Sequence, residues 1–126
     1  MSLIITGLRE VVTALESSPA LLRTGIRKAV TVTARAVRDD ARSRIAGHRY
    51  LPRYPASITY DVKTTPTGVQ AEIGPDKGRP QGALGNLIEY GSSHNAPLPH
   101  LGPALDAAEP DAENSVSVAL REALLP

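Results

Sequence analysis

Residues whose types could do chemistry are few, and their spacing favours no reaction. The chain has three histidines, His48, His94 and His100, and no cysteine. His94 and His100 are six residues apart with Glu89 nearby, whereas a metal site wants closer ligands or an i, i+4 pair on a helix. Ser92-Ser93-His94 sets hydroxyls beside an imidazole, but triads are assembled across a fold rather than from sequence neighbours, and no strand–nucleophile–helix elbow is present. Glu72, Asp76 and Glu89 form no evident acid/base pair. The Gly78-Arg79-Pro80-Gln81-Gly82 stretch lacks the Lys-Ser/Thr pair of a phosphate loop. These patterns lead us to expect no catalytic residues, no metal and no cofactor.

Composition bounds the rest. The 126 residues suffice for one domain, residues 1–126, with a core burying roughly two-thirds of the unfolded surface. That core has no Phe or Trp to draw on, only four Tyr, and must be built from Ala, Leu, Val and Ile. No apolar run approaches the ~20 residues of a bilayer span, so no membrane partner is expected. The absence of Cys removes disulfides and thiolate sites and fits an intracellular setting.

The net charge of +1 conceals a division. Nine of the fourteen basic residues lie between Arg23 and Arg53 against only Asp39 and Asp40, giving that segment +7. From Pro103 onward, Asp106, Glu109, Asp111, Glu113 and Glu122 face only Arg121, giving −4. Such a split suits solvated helix faces, complementary surfaces on repeated subunits, or contact with nucleic acid. Nucleic acid ranks last, because no aromatic residue interleaves the basic ones before Tyr50.

The elements follow from periodicity. Leu8, Val11, Val12 and Leu15 predict a short helix over residues 7–16. Ser18 as N-cap and Pro19 at the first helical position open a long helix to about Ala46, closed by Gly47. Its apolar stripe is Leu22, Ile26, Ala29, Val30, Thr33, Val37, Ala41 and Ile45, with the basic residues largely off it. Residues 48–55 read as a loop. Ile58, Tyr60 and Val62, then Val69, Ala71 and Ile73, alternate with polar residues and predict a hairpin turning at Thr65-Pro66-Thr67-Gly68. A Gly/Pro-rich loop covers residues 75–85. Residues 84–90 read as a third strand with Leu87, Ile88 and Tyr90 on its core side. Pro103 should begin a helix, Pro110 should interrupt it, and a last amphipathic helix should run over residues 111–125, with Val116, Ala119 or Leu120, and Ala123 or Leu124 inward. The expected fold is α+β: a short N-terminal helix, a long basic helix, a small antiparallel sheet of about three to four strands, and a C-terminal helix.

Two stretches are distinctive: Leu84-Gly85-Asn86-Leu87-Ile88-Glu89-Tyr90-Gly91-Ser92 and Pro97-Leu98-Pro99-His100-Leu101-Gly102-Pro103-Ala104-Leu105-Asp106. The chain thereby resembles the minor tail-component or neck family of long-tailed, siphovirus-type bacteriophages. That family shows an apolar strand ending in Glu, an aromatic and Gly, then a Pro-containing loop, then a Pro-Ala-Leu-Asp helix start. The opening Gly-Leu-Arg-Glu helix, the Ala-rich long helix and a strand resembling Tyr54-Pro55-Ala56-Ser57-Ile58 fit as well. The chain departs from the family where many members carry Thr-Gly and it has Arg53-Tyr54-Pro55-Ala56, and in its added 75–85 loop.

The resemblance implies a non-catalytic structural virion protein, assembled in the host cytoplasm and located in the neck at the tail top. It implies a head–tail connector or tail-completion ring whose subunits meet copies of themselves, in the six-fold arrangement usual at the tail side or the twelve-fold one found nearer the portal, together with the head-completion or adaptor proteins and the tail-terminator or tail-tube proteins. Genomic DNA would pass through its lumen. The assembly residues it marks are Glu89, Tyr90, Gly91, Pro97, Pro99, His100, Pro103 and Leu105. The basic face formed by Arg23, Arg27, Arg35, Arg38 and Arg42 would meet a neighbour or line the lumen. Glu89 reads either as a solvent-facing edge residue or as the partner of an Arg on the long helix, and His100 as an interface or loop hydrogen-bonder. The alternatives are a tail-terminator or head-closure (stopper) protein of the same particle, or a nucleic-acid-binding module working through the basic helix.

Overall fold

A computed structural model describes residues 2–3, 20–65 and 68–124. The expected helix over residues 7–16, the Ser18-Pro19 start and the turn residues Pro66 and Thr67 lie outside the described residues. In chain order the elements are β1 (Ser2–Leu3), α1 (Ala20–Ile45), α2 (Tyr54–Ser57), β2 (Ile58–Thr65), β3 (Gly68–Pro75), a 3-10 turn (Gly82–Leu84), α3 (Gly85–Tyr90) and α4 (Leu101–Leu124). The architecture is α+β, with α1 at its centre: the hairpin packs on one side of α1 and α4 on another.

The long helix forms as its 3.6-residue stripe dictates. Ile26, Ala29, Val30, Thr33, Val37, Ala41 and Ile45 are buried, joined by Ala34. It ends at Gly47, whose φ of +79° is the left-handed conformation that closes many helices. α4 runs antiparallel to α1, and the small residues let the two approach closely: a Cβ on Gly25 would sit 3.6 Å from Ala119 Cβ. Six Ala and five Ile stand among the buried hydrophobic residues, with Tyr54 the single aromatic.

β2 and β3 pair antiparallel from Ile58 opposite Pro75 to Thr65 opposite Gly68. Val69, Ala71 and Ile73 turn inward, as period two requires. The sheet is smaller than expected, because it is in substance a two-strand hairpin. Among the described residues it is extended by the two-residue β1, with Ser2 opposite Glu72 and Leu3 opposite Ala71.

The expected third strand is a helix. Residues 82–90 form the 3-10 turn and α3, with Ile88 and Glu89 buried and Leu87 and Tyr90 exposed rather than core-facing. A short apolar run does not distinguish strand from helix by periodicity, and here packing decides. The loop expected at residues 48–55 likewise ends in a helical turn: Tyr54–Ser57 is α2, and the strand begins only at Ile58.

α4 also begins earlier and continues further than expected. It starts at Leu101, so Pro103 lies in the first turn, where a missing N–H is harmless. It runs through Pro110, which is exposed. Proline in a helix interior costs roughly 3 kcal/mol. Burial of Ala104 before it and of Ala112 and Val116 after it holds both halves against the core.

Candidate assembly site

Two constructions involve the residues singled out from the sequence: a clasp around Glu89 and His100, and an arginine ridge on α1.

The clasp begins with a deficit. The first N–H groups of any helix lack intrahelical partners, and the residue before α4 is His100, not one of the Ser, Thr, Asp or Asn residues that cap well. Glu89, only 7% exposed at the end of α3, supplies the missing acceptor. Its Oε1 accepts the backbone N–H of His100 at 3.1 Å and of Leu101 at 2.8 Å, and its Oε2 accepts that of Gly102 at 3.3 Å. The negative charge also lies where the α4 dipole favours it. Glu89 is therefore neither an exposed edge residue nor the partner of a long-helix arginine, because its oxygens are taken up by the backbone of α4.

His100 extends the clasp. Its Nδ1 lies 2.9 Å from Leu98 O and 3.1 Å from Glu89 Oε1, both acceptors, so Nδ1 carries the proton in the neutral ring. Its Nε2 then accepts from the Tyr54 hydroxyl at 2.6 Å. Tyr54 and His100 are fully buried, with the rings edge-on at 5.2 Å between centroids. α2 places Tyr54, and Ser57 Oγ closes that turn by donating to Tyr54 O at 2.6 Å. Hydroxyl, imidazole and carboxylate stand in the order of a catalytic relay, yet the hydroxyl points into the protein. What the arrangement does is join α2, α3 and α4 at one point.

Burial, and secondarily the Glu89 carboxylate, push the Tyr54 phenol up from its ordinary 10.0 to about 12. The stabilisation from the neutral phenol is thus complete below pH 10 and lost as pH rises through about 12. Urea melts across that window should show wild type losing on the order of 2 kcal/mol more than Tyr54→Phe. Tyr54→Phe should itself cost about 1–2 kcal/mol at neutral pH by leaving Nε2 without its donor. Parallel alkaline slopes for the two proteins would contradict this account.

The 91–99 loop between Glu89 and His100 is held by its own bonds. Ser92 N–H donates to Asn95 O at 2.9 Å, Leu98 N–H to Ile88 O at 2.8 Å, and Ser92 Oγ accepts from the N–H of Asn95. Gly91 has φ +77° and packs against Pro97. Pro97, Pro99 and Tyr90 are exposed, whereas Pro103 and Leu105 are half-buried, Leu105 against the core. Of the eight marked positions, the structure thus brings Glu89, Gly91, Pro97, Pro99 and His100 into the clasp and its loop. Tyr54 was missed by sequence reasoning, since nothing local links it to a histidine 46 positions away. An available signal for Glu89 was the lack of a capping residue before α4.

The arginine ridge turns onto β2, the edge strand of the sheet. Arg42 donates from Nε at 3.0 Å and Nη2 at 2.6 Å to Ile58 O. Arg27 donates to Val62 O at 3.3 Å and to Thr64 Oγ1 at 2.7 Å. Ile58 and Val62 share one parity along β2, and these guanidinium groups occupy carbonyls on the side of β2 that no other described strand pairs. Arg38 lies 5.0 Å over the Tyr60 ring, and Arg35 reaches the Tyr60 hydroxyl at 3.5 Å. Desolvation, then the neighbouring Arg38, lowers the Arg42 pKa from its ordinary value. Arg23 is exposed on the first turns of α1. The face expected to meet DNA or a neighbour is therefore largely engaged within the domain. Arg42→Ala should cost about 1–2 kcal/mol in denaturant melts and promote aggregation through the opened edge. An unchanged midpoint would show the Arg42 bonds to be inconsequential.

The carboxylates of α4 are placed otherwise. Asp106, Glu109, Asp111, Glu113 and Glu122 are all exposed, and among the described residues none forms an ion pair. No family model, curated protein or solved structure matches the chain.

Proposed function

We propose that the chain is a structural subunit of a bacteriophage neck, forming a ring that joins the portal and adaptor side of the head to the tail and lets DNA pass. The reading rests on the resemblance carried by residues 84–106. The observation that supports it best is what that stretch does in the fold. Its Glu and His are drawn inside to clasp the start of α4, while Leu87, Tyr90 and Leu98 are left outside. A buried device that holds an apolar surface outward suits a subunit that meets other subunits. The α4 carboxylates, which form no ion pair among the described residues, and the thin aliphatic core fit the same role.

Tail-terminator or head-closure protein of the same particle is the alternative reading, separated by position along the neck. A basic-helix nucleic-acid module draws less support, since Arg27 and Arg42 are bonded to β2 carbonyls. The test is deletion of the gene from its phage, followed by electron microscopy of the lysate. Filled heads and complete tails should accumulate unjoined, and density for the chain should be found at the junction in wild-type particles. Normal joined particles lacking the chain would contradict the proposal.

A further inference from the structure

Seven large hydrophobic residues are exposed among the described ones, and four of them, Leu84, Leu87, Tyr90 and Leu98, lie on the 3-10 turn, α3 and the loop bonded back to α3. Leu84, Leu87 and Tyr90 follow one another at three-residue steps along the 3-10 turn and α3, with Leu87 56% and Tyr90 71% exposed. Leu98 is fixed beside them by its N–H bond to Ile88 O. Together they make an apolar ridge.

The surroundings of the ridge are basic. Gln81, immediately before the 3-10 turn, accepts the Arg53 N–H at 2.8 Å and donates to Tyr50 O at 3.1 Å. The 49–53 loop, with Arg49 and Arg53, is thereby tied to the base of the ridge, and Lys77 and Arg79 precede it in the adjoining turn. Asp76 also lies there, paired with Arg79 at 3.6 Å, and Glu89 is turned inward to α4, so the outward charge is carried by Arg49, Arg53 and Lys77.

A second apolar surface lies elsewhere, between α1 and α4. It is a groove of about 290 Å³ whose lining includes Ala36, Ala104, Ala107 and Ala108, with Thr33 and Ser115. Val32, 52% exposed, stands at its lip. Its rim is acidic: Asp40 and Asp111 line it. Asp40 is shared with Arg44 at 3.1 Å, whereas Asp111 has no ion pair among the described residues.

We propose that the ridge of one copy seats in the α1–α4 groove of the next, an inference that rests on the reading of the chain as a self-assembling subunit. Exposed apolar side chains with a basic surround meet an apolar groove with an acidic rim, so both burial and charge favour the pairing. The two surfaces are formed by different parts of the chain. The contact is therefore head-to-tail, the kind that closes into a ring and not into a two-fold dimer. The cations come from the 49–53 and 77–79 loops, not from Arg27, Arg35, Arg38 and Arg42 of α1, whose guanidinium groups are turned onto β2.

The experiment uses full-length chain and native mass spectrometry. Leu87→Glu disables the ridge and Ala107→Trp fills the groove, both at exposed positions, and Val32→Asp is a second groove variant should the first misfold. Circular dichroism checks that each is folded. Wild type should form closed rings, and each folded variant should be monomeric, its self-association weakened at least about tenfold. An equimolar mixture of a ridge variant with a groove variant should give a one-to-one heterodimer and nothing larger, because each mixture contains one intact ridge and one intact groove. Rings that survive in the variants would overturn the proposal and leave the neck reading standing, as would rings that survive while binding to another neck protein is lost. A wild-type chain that is monomeric alone and beside its neck partners would overturn both.

Discussion

Glu89→Ala is expected to destabilise the domain by about 3 kcal/mol. Three N–H groups lose their acceptor together, two of them at buried residues where water does not readily substitute. Truncating one member of a buried charged network costs about 3–5 kcal/mol. The figure lies at the low end because removing the carboxylate also removes its own desolvation penalty, and Gly102 is half-buried and able to find solvent. In a domain of this size the melting temperature should fall by about 10 °C. Glu89→Gln should recover little, since its amide NH₂ would face donors where an oxygen now accepts. Hydrogen exchange adds a local reading: the amides of His100, Leu101 and Gly102 should lose protection before the centre of α1 does. A loss below about 1 kcal/mol, or unchanged protection at these amides, would mean that α4 is capped by something else.

Gly91→Ala should cost about 3 kcal/mol or more, for a different reason. With φ +77° and ψ −178°, Gly91 occupies a region of backbone space that is essentially reserved to glycine. An added Cβ would also stand 2.8 Å from Pro97 N and 2.9 Å from Asn95 O, both backbone atoms that cannot swing away. The loop would have to open, and with it the approach of Glu89 to α4. Gly47→Ala is the control. Its φ is +79°, but nothing lies within 4 Å of the new Cβ, so only the left-handed penalty of about 1 kcal/mol applies. Equal denaturation midpoints for the two variants would remove the steric part of the argument.

The parts of the fold that were legible in the sequence are those where one local period prevails. The α1 stripe recurs every three to four residues over seven turns, and the hairpin alternates cleanly on both strands. Residues 84–90 carried no such period. Leu87 and Ile88 are adjacent, and a run of seven residues fits either element; Glu89 decides for helix by turning inward to α4, a contact eleven residues away in sequence that no local pattern encodes. Pro110 misled in the opposite sense, because its local cost was weighed without the packing of Ala104, Ala112 and Val116 that spans it. For the site, residue identity was legible and role was not. Glu89, Gly91 and His100 stood out, yet their partners are backbone amides and a tyrosine 46 positions away, which only the folded chain brings together. The arginines of α1 were correctly placed off the apolar stripe, but the β2 carbonyls that occupy two of them, on the side no other described strand pairs, follow from strand order, not from sequence.

The proposal that the chain works as a ring is tested most directly by the mass of the purified full-length protein in solution, alone and with its neck partners. The account predicts a closed oligomer, with six copies of the 13.3 kDa chain as the expected number. A mass of one chain at every concentration, with and without those partners, would contradict it.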